Sequence, residues 1–268
     1  MTQDKTKAPQ IPREDDICDV IGKAMRGQGL TPASLAQQAS LPEPAVSRAL
    51  QADGPALPVH ELNAIASALG LNPKALAQLN TYLPGCQAPA GLITITTRFG
   101  HAGVNAFILE NEHSAWVFDT GTDPSPILSH LSTHRLELKN LYITHGHHDH
   151  ISGLPSFPED QTILPENIRH GESRALTPNI RLTALETSGH FTPSRAYFIE
   201  GLSAPVCICG DILFAGSMGK ASGLSSYQQS LRHARENLLS LPPETLLCPG
   251  HGPLSTIALE KQHNPFLA

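Results

Sequence analysis

Few aromatic residues and a modest excess of acidic charge limit what this sequence can do. Aromatic residues make up 5% of the 268 residues, so platforms on which single-stranded bases stack are not expected. The formal net charge of −6 at pH 7 gives no overall electrostatic attraction to nucleic acid. Charged residues are only 16% and hydrophobic residues 40%, which is typical of a folded chain with a hydrophobic core.

Cysteine use and the lack of long apolar runs indicate where the protein works. The five cysteines are odd in number and include no CxxC pair, which argues against a disulfide framework and for a reducing compartment. The N-terminal segment MTQDKTKAPQ lacks the apolar stretch of a signal peptide, and no run of apolar residues is long enough to span a bilayer. We therefore expect a cytoplasmic protein with no membrane partner.

The pattern of the chain predicts two folded parts. The first consists of short helices that begin near proline and end near glycine, such as the one that Thr31 and Pro32 start. The second begins with the alternating strand 92–96 and continues with strands that mix with helices, which indicates a layered α/β architecture. The predicted boundaries are a disordered tail over 1–12, a helical domain over 13–85, a linker over 86–91 and an α/β domain over 92–268.

The strongest chemical signal is the segment Thr144–Gly153, THGHHDHISG, which follows a predicted short buried strand. Imidazole and carboxylate groups are ligands that Zn²⁺, Fe²⁺ and Mn²⁺ accept. His145 and His147 are two residues apart, so in an extended segment they point to the same side and can chelate one ion. Asp149 and His150 then turn toward a second ion.

Three further candidate ligands follow predicted strands downstream. His190 lies in TSGHFTP, Asp211 in CGDILF and His251 in CPGHGP. Each is next to a glycine, where the backbone can bend tightly and direct a side chain into a cleft.

The motif His145-x-His147-x-Asp149-His150, followed by His190, Asp211 and His251, resembles the metallo-β-lactamase superfamily in order and in flanking residues. The upstream FDTG, which contains Asp119, is similar to the first motif of that family. The resemblance covers about residues 91–268. It implies the αββα sandwich fold, with the site at the loop edge of two β-sheets.

The resemblance also implies a role for each residue of the site. The first metal ion is expected on His145, His147 and His190, and the second on Asp149, His150 and His251, with Asp211 bridging the two. Asp119 is expected to orient ligands from behind. The implied cofactors are two divalent metal ions, with zinc as the first choice and iron or manganese as alternatives. They would activate a shared water as hydroxide for attack on a carbonyl, with Asp149 orienting that nucleophile.

The carboxylate at Asp211 and the segment GDILFAGSMG resemble glyoxalase II and related hydrolases. The resemblance therefore implies hydrolysis of a thioester, ester or lactone. Only 17 residues follow His251, so we do not expect the C-terminal helical domain with which glyoxalase II holds glutathione. Lys220 is a candidate contact for an anionic substrate. An alternative enzyme is a persulfide dioxygenase-like protein, which would use one Fe²⁺ ion.

The predicted helical domain resembles the Cro/C1-type helix-turn-helix over about 60 residues. Its recognition helix would be 42–50, with Ser47 and Arg48 facing the DNA groove. Residues 11–80 contain five basic and seven acidic side chains, which gives little attraction to phosphates. Two interpretations stay open: a metabolite-responsive DNA-binding regulator, or a helical bundle with a structural or dimerising role. A homodimer is the partner that the second interpretation suggests.

Overall fold

A computed structural model describes residues 11–52, 54, 56–100 and 103–267. Most of the tail predicted over 1–12 therefore lies outside the described residues. Five short helices precede the first strand, close to their predicted positions, and a 3₁₀ turn (Leu79–Thr81) follows them. They are α1 (Ile17–Gly27), α2 (Pro32–Ala39), α3 (Glu43–Ala49), α4 (Val59–Ala68) and α5 (Pro73–Gln78).

Local caps explain where these helices begin. The Thr31 hydroxyl accepts a hydrogen bond from the Ser34 backbone N–H at 3.2 Å, and Asn72 Oδ1 accepts one from Ala75 N–H at 3.0 Å. Prolines occupy the first turn of α2, α3 and α5, where no intrahelical N–H is required. Inward-facing apolar side chains then close a core, including the fully buried Val20, Ile21, Leu35, Ile65 and Leu76.

Two β-sheets follow the helical region. The five-stranded sheet has the order β1-β2-β3-β4-β5, and the six-stranded sheet has the order β11-β10-β9-β8-β7-β6. Pairing is parallel at β3·β4, β4·β5 and β9·β10 and antiparallel elsewhere. The strands are β1 (Leu92–Thr97), β2 (Val104–Asn111), β3 (Ser114–Phe118), β4 (Glu137–Tyr142), β5 (Thr162–Ile163), β6 (Ser173–Ala175), β7 (Arg181–Glu186), β8 (Arg195–Glu200), β9 (Val206–Gly210), β10 (Leu246–Pro249) and β11 (Ser255–Thr256).

The sheets face each other, and helices cover their outer faces. Side chains of both sheets, such as Phe118 and Tyr197, share one buried cluster between the layers. The outer face of the first sheet packs on α6 (Ser125–Thr133) through Ile127, and that of the second packs on α9 (Ile257–His263) through Ile257. Two more helices are α7 (His148–Ile151) and α8 (Leu224–His233), which continues as a π-helical turn (Ala234–Leu238). This αββα sandwich confirms the predicted fold class.

The helical region packs directly on the sandwich. Its hydrophobic core includes Met218, Tyr227 and Phe266 of the α/β part. We refer to the buried carboxylate of Glu260 and its donors as the Glu260 network: Oε1 accepts from the Tyr82 and Ser255 hydroxyls, and Oε2 from Gly216 N–H and Asn264 Nδ2. This network joins the end of the helical region to the loop after β9. The domain boundary at 86–91 stays a prediction.

Three further expectations concern the cysteines, membrane-spanning helices and the shortest strands. The five cysteines are all free thiols, as expected for a chain without a disulfide framework. Within the described residues, no helix combines the length and the apolar character needed to cross a membrane. The strands β5, β6 and β11 were not predicted, because two or three residues are too few to show an alternating pattern.

Candidate metal centre

The candidate ligands meet at one edge of the sandwich, where several strands end. His145 and His147 follow β4, and Asp149 and His150 lie in α7, a single turn that reverses the chain. His190, Asp211 and His251 follow β7, β9 and β10, respectively. Since β9 and β10 pair in parallel, the loops that follow them leave the sheet side by side.

Four side chains form a first group that could hold a metal ion: His145, His147, His190 and Asp211. The Nδ1 atom of His147 lies 3.0 Å from His145 Nε2 and 2.9 Å from His190 Nε2. Asp211 Oδ2 lies 3.4 Å from His190 Nε2 and 3.8 Å from His145 Nε2. Three imidazole nitrogens and a carboxylate oxygen thus converge on one point.

Asp149, His150 and His251 form a second group beside the first. Asp149 Oδ2 lies 3.1 Å from His251 Nε2 and 3.8 Å from His150 Nε2. His150 is fully buried, and Asp149 and His251 are only 6% and 5% exposed. The ligand atoms of this group therefore face a small space shielded from solvent.

Asp211 connects the two groups. Its Oδ2 atom faces the first group and also lies 3.5 Å from His251 Nε2. Its Oδ1 atom lies 3.2 Å from His150 Nε2. One carboxylate can therefore contact two cations at once, and the bridging role that the resemblance implies for Asp211 stays a prediction that this geometry supports.

The ring nitrogens that face away from the centre are held by hydrogen bonds. The Nδ1 atoms of His190 and His251 donate to the backbone carbonyls of Lys220 at 2.6 Å and Gly103 at 2.8 Å. His145 Nδ1 donates to the Thr144 hydroxyl at 3.0 Å, because that hydroxyl itself donates to Asp119. These contacts favour the tautomers that leave each Nε2 unprotonated and available to a cation.

Asp119 lies behind the centre and touches both motif segments. Its Oδ1 accepts from Thr144 N–H at 2.7 Å, and its Oδ2 accepts from the Thr144 hydroxyl and from His150 Nδ1, both at 2.7 Å. Its backbone is left-handed, with φ 59°, a conformation that is unusual outside glycine and is tolerated best by Asn and Asp. The orienting role predicted for Asp119 stays a prediction that these contacts support.

Attraction between carboxylates and imidazoles stabilises the second group. Burial lowers the pKa of His150, but the carboxylates of Asp211 and Asp119 outweigh it and raise that pKa to about 10. Burial also opposes protonation of His251, but hydrogen bonds with Asp149 and Asp211 raise its pKa to about 11. Protons thus occupy positions that cations could take. Metal uptake at this group would displace those protons, so binding should weaken as pH falls.

In the first group, His145 is buried among other imidazoles, so its pKa shifts in the opposite direction from those of His150 and His251. Burial, and then the neighbouring His150, lower the pKa of His145 well below its usual value. Burial raises the pKa of Asp211, but His150 and His145 reverse this and hold it well below the usual range. A neutral imidazole beside an ionised carboxylate is the donor state that a divalent cation requires.

Unpartnered polar atoms show that the centre fits a cation. Among the described residues, His150 Nε2 and Asp211 Oδ1 are buried and make no hydrogen bond. Buried polar atoms are rarely left without a partner, because each costs about 1–3 kcal/mol. The donor set of imidazole and carboxylate suits zinc, iron or manganese. A cation between these atoms would satisfy both.

Gly250 borders this space closely enough to give a testable expectation. A Cβ atom at position 250 would lie 2.2 Å from Asp211 Oδ1 and 2.5 Å from His150 Cε1. We expect Gly250→Ala to displace these ligands and to lower metal content and activity together, by about tenfold or more. Metal analysis of the purified variant measures this. Gly223→Ala is the control, because a Cβ there meets nothing within 4 Å, and equal loss in both variants would contradict the expectation.

The remaining predicted site residues belong to neither ligand group. The Lys220 side chain is exposed, next to the carbonyl that holds His190. Ser47 is exposed on α3, while Arg48 Nη2 pairs with Glu61 at 3.1 Å. The helix-turn-helix assignment and DNA contact at these two residues stay predictions. The sequence did not single out the Thr144 hydroxyl that contacts His145. It also did not single out the Gly103 and Lys220 carbonyls, since a backbone oxygen leaves no residue-type signal.

Comparisons with known proteins agree with this geometry. Residues 100–171 match the family model described as the metallo-beta-lactamase superfamily. The chain is 26% identical over 200 residues to a probable metallo-hydrolase, YqgX, of Bacillus subtilis (strain 168), covering 63% of this chain and 94% of that protein. It is 29% identical over 155 residues to the hydroxyacylglutathione hydrolase of Hahella chejuensis (strain KCTC 2396), covering 54% of this chain and 59% of that enzyme.

A solved structure gives the same result at the level of the fold. The crystal structure of the BLEG-1 B3 metallo-beta-lactamase superposes with a TM-score of 0.57 at 25% identity, covering 66% of this chain and 99% of that one. The matched 66% of this chain is about the length of the sandwich alone, which begins at β1, without the N-terminal helices. The sandwich of this chain is therefore similar in fold to that metallo-beta-lactamase, and residues 100–171 match the model of the metallo-beta-lactamase superfamily.

Proposed function

We propose that this protein is a metal-dependent hydrolase that cleaves a thioester, ester or lactone at a centre for two divalent metal ions, with zinc as the first choice. The observation that carries the proposal is the position of Asp211, whose two oxygens face two separate groups of imidazole and carboxylate ligands. A superfamily domain and metallo-hydrolase relatives support the reaction class.

The residues of the centre have different proposed roles in catalysis. Divalent ions bound here would supply a water of lowered pKa and would polarise a carbonyl oxygen. The Asp149 carboxylate lies at the second group and is positioned to orient the attacking water and accept its proton. Thr144 and Asp119 hold His145 and His150 in fixed orientations, which keeps the ligand atoms in place.

The substrate proposal is a small hydroxyacyl thioester or a related ester or lactone. The relative from Hahella chejuensis is a hydroxyacylglutathione hydrolase. This chain spans about three fifths of that relative's length, so the substrate is carried over as a proposal only. Lys220 is exposed beside the centre, where its ammonium group can contact an anionic part of the substrate.

Metal removal and a substrate panel test this function. We expect purified protein to contain divalent metal and to hydrolyse a hydroxyacyl thioester or a lactone faster than a phosphoester. Prolonged chelation should abolish hydrolysis, and added Zn²⁺, Fe²⁺ or Mn²⁺ should restore it. Metal content and initial rates are measured on the same preparation.

Two histidines of the same motif provide a matched pair of variants. His145→Ala should lose metal and activity, while His148→Ala should keep both, because the His148 side chain is exposed and belongs to neither group. Equal activity in both variants would remove the proposal. Rates measured with and without oxygen separate hydrolysis from the alternative iron-dependent oxygenation, since hydrolysis proceeds equally well without oxygen.

A further inference from the structure

The segment before α1 runs along the rim of the metal centre. The backbone at Pro12, Arg13 and Glu14 passes next to Gly252, whose φ is +78° and whose Cβ position would lie 3.3 Å from Glu14 N. Gly252 directly follows the ligand His251. The segment therefore reaches the centre from a part of the chain about 240 residues away in sequence, beyond the sandwich itself.

Side chains on both sides of Glu14 fix this segment. The Arg13 guanidinium donates to the Leu79 carbonyl at the end of the helical region. Lys23 of α1 pairs with Asp15 and also donates to the Met218 carbonyl at 2.9 Å, in the loop after β9. These contacts attach the segment to the helices and to the loop at the same time, so the position of Glu14 is set by tertiary packing.

The Glu14 carboxylate faces the outer side of a candidate ligand. Its Oε2 atom lies 3.8 Å from His251 Nδ1, the nitrogen that donates to the Gly103 carbonyl. The Nε2 atom of the same ring faces Asp149 and Asp211. The carboxylate and the metal space thus lie on opposite sides of one imidazole.

This carboxylate oxygen has an unusual environment. Within the described part of the chain, Glu14 Oε2 is buried and has no hydrogen-bond partner. A buried carboxylate oxygen without a hydrogen-bond donor is costly, and the His251 ring at 3.8 Å carries the nearest opposite charge. A cation bound at His251 Nε2 would offset this cost, because it would increase the positive charge at Nδ1, the ring nitrogen nearest to the Glu14 carboxylate.

We propose that Glu14 is a positioning residue for the metal centre: the Gly103 carbonyl orients the His251 ring, and the Glu14 carboxylate stabilises the positive charge that this ring carries when it binds a cation. The inference rests on the proposed function, since it requires metal at the second group. The role resembles other carboxylate–histidine–metal arrangements in its physics. Here the carboxylate comes from the N-terminal segment, so the helical region and the segment before it help to complete the site.

Zinc binding to the full-length protein tests this proposal. We expect Glu14→Gln to lower the affinity of the more weakly held zinc ion about 10- to 100-fold, the range typical of such outer contacts, as measured by competition with a chromophoric chelator. Glu14→Asp should retain part of the affinity, since it keeps the charge. Glu43→Gln, the same change at an exposed position of α3, is the control and should bind as the wild type does.

Thermal unfolding of the metal-free proteins separates positioning from a general structural role. Glu14→Gln should unfold at about the same temperature as the wild type, because Oε2 accepts no hydrogen bond from the described residues that the amide would lose. A lowered unfolding temperature together with weaker binding would overturn the proposal, as would unchanged zinc affinity. A wild-type chain that binds no divalent ion would instead overturn the proposed function, and the inference with it.

Discussion

Replacing Asp211 with asparagine is expected to lower hydrolysis by at least about a thousandfold. The carboxylate is 7% exposed and contacts both ligand groups. An amide is neutral and places an N–H group where a ligand atom is needed, so one of the two cations should be lost. Losing about 4 kcal/mol of stabilisation of the developing charge corresponds to about three orders of magnitude in rate.

The measurement is kcat/KM together with metal content for each variant. Asp160→Asn is the matched control, because Asp160 is exposed and lies outside both ligand groups. Two bound metal ions and near-normal activity in Asp211→Asn would show that this carboxylate does not link the groups. Normal activity with only one ion would show that a single cation is sufficient.

Replacing Glu260 with alanine is expected to lower the free energy of unfolding by about 3–5 kcal/mol. The residue has no exposed surface, and its carboxylate accepts hydrogen bonds from four donors. Burial raises the pKa of Glu260, but these donors favour the ionised form. Alanine would remove the common acceptor of these four buried donors and would open a cavity between the helical region and the sandwich. Only the Asn264 amide, through the Ser217 carbonyl, and the Tyr82 and Ser255 hydroxyls, through each other, would keep a partner.

Urea unfolding monitored by far-UV circular dichroism measures this loss. Glu244→Ala provides the control, since Glu244 is exposed and its truncation should change stability by less than about 0.5 kcal/mol. Glu260→Gln keeps the shape and part of the bonding, so its loss should be intermediate. A Glu260→Ala variant as stable as the control would mean that the network contributes nothing to holding the two parts together.

The sequence was sufficient to predict the sandwich and to nominate the residues that meet at its edge. His145, His147, Asp149 and His150 are adjacent in sequence, so their meeting is local. His190, Asp211 and His251 were recognisable because each follows an apolar strand next to glycine, and strands of one sandwich end at a common edge. Whether these side chains hold metal stays a prediction.

Other features of the centre depend on packing that no local pattern records. Glu14 follows a polar tail in the sequence, and only the docking of the helices brings it to His251. The Glu260 network joins Glu260 to residues between 4 and 178 positions away, with no recognisable spacing. The helix α8 continues as a π-helical turn, which hydrophobic periodicity in a sequence does not distinguish from α-helix.

The contact of His190 with residue 220 separates coordination from selectivity. The ring is held by a main-chain oxygen, which every amino acid provides, whereas the Lys220 side chain extends into solvent. Exchange of this side chain for an acidic or apolar one therefore leaves the imidazole anchored. Under the proposed function, position 220 is thus a place where substrate preference can be changed without loosening the candidate ligand His190.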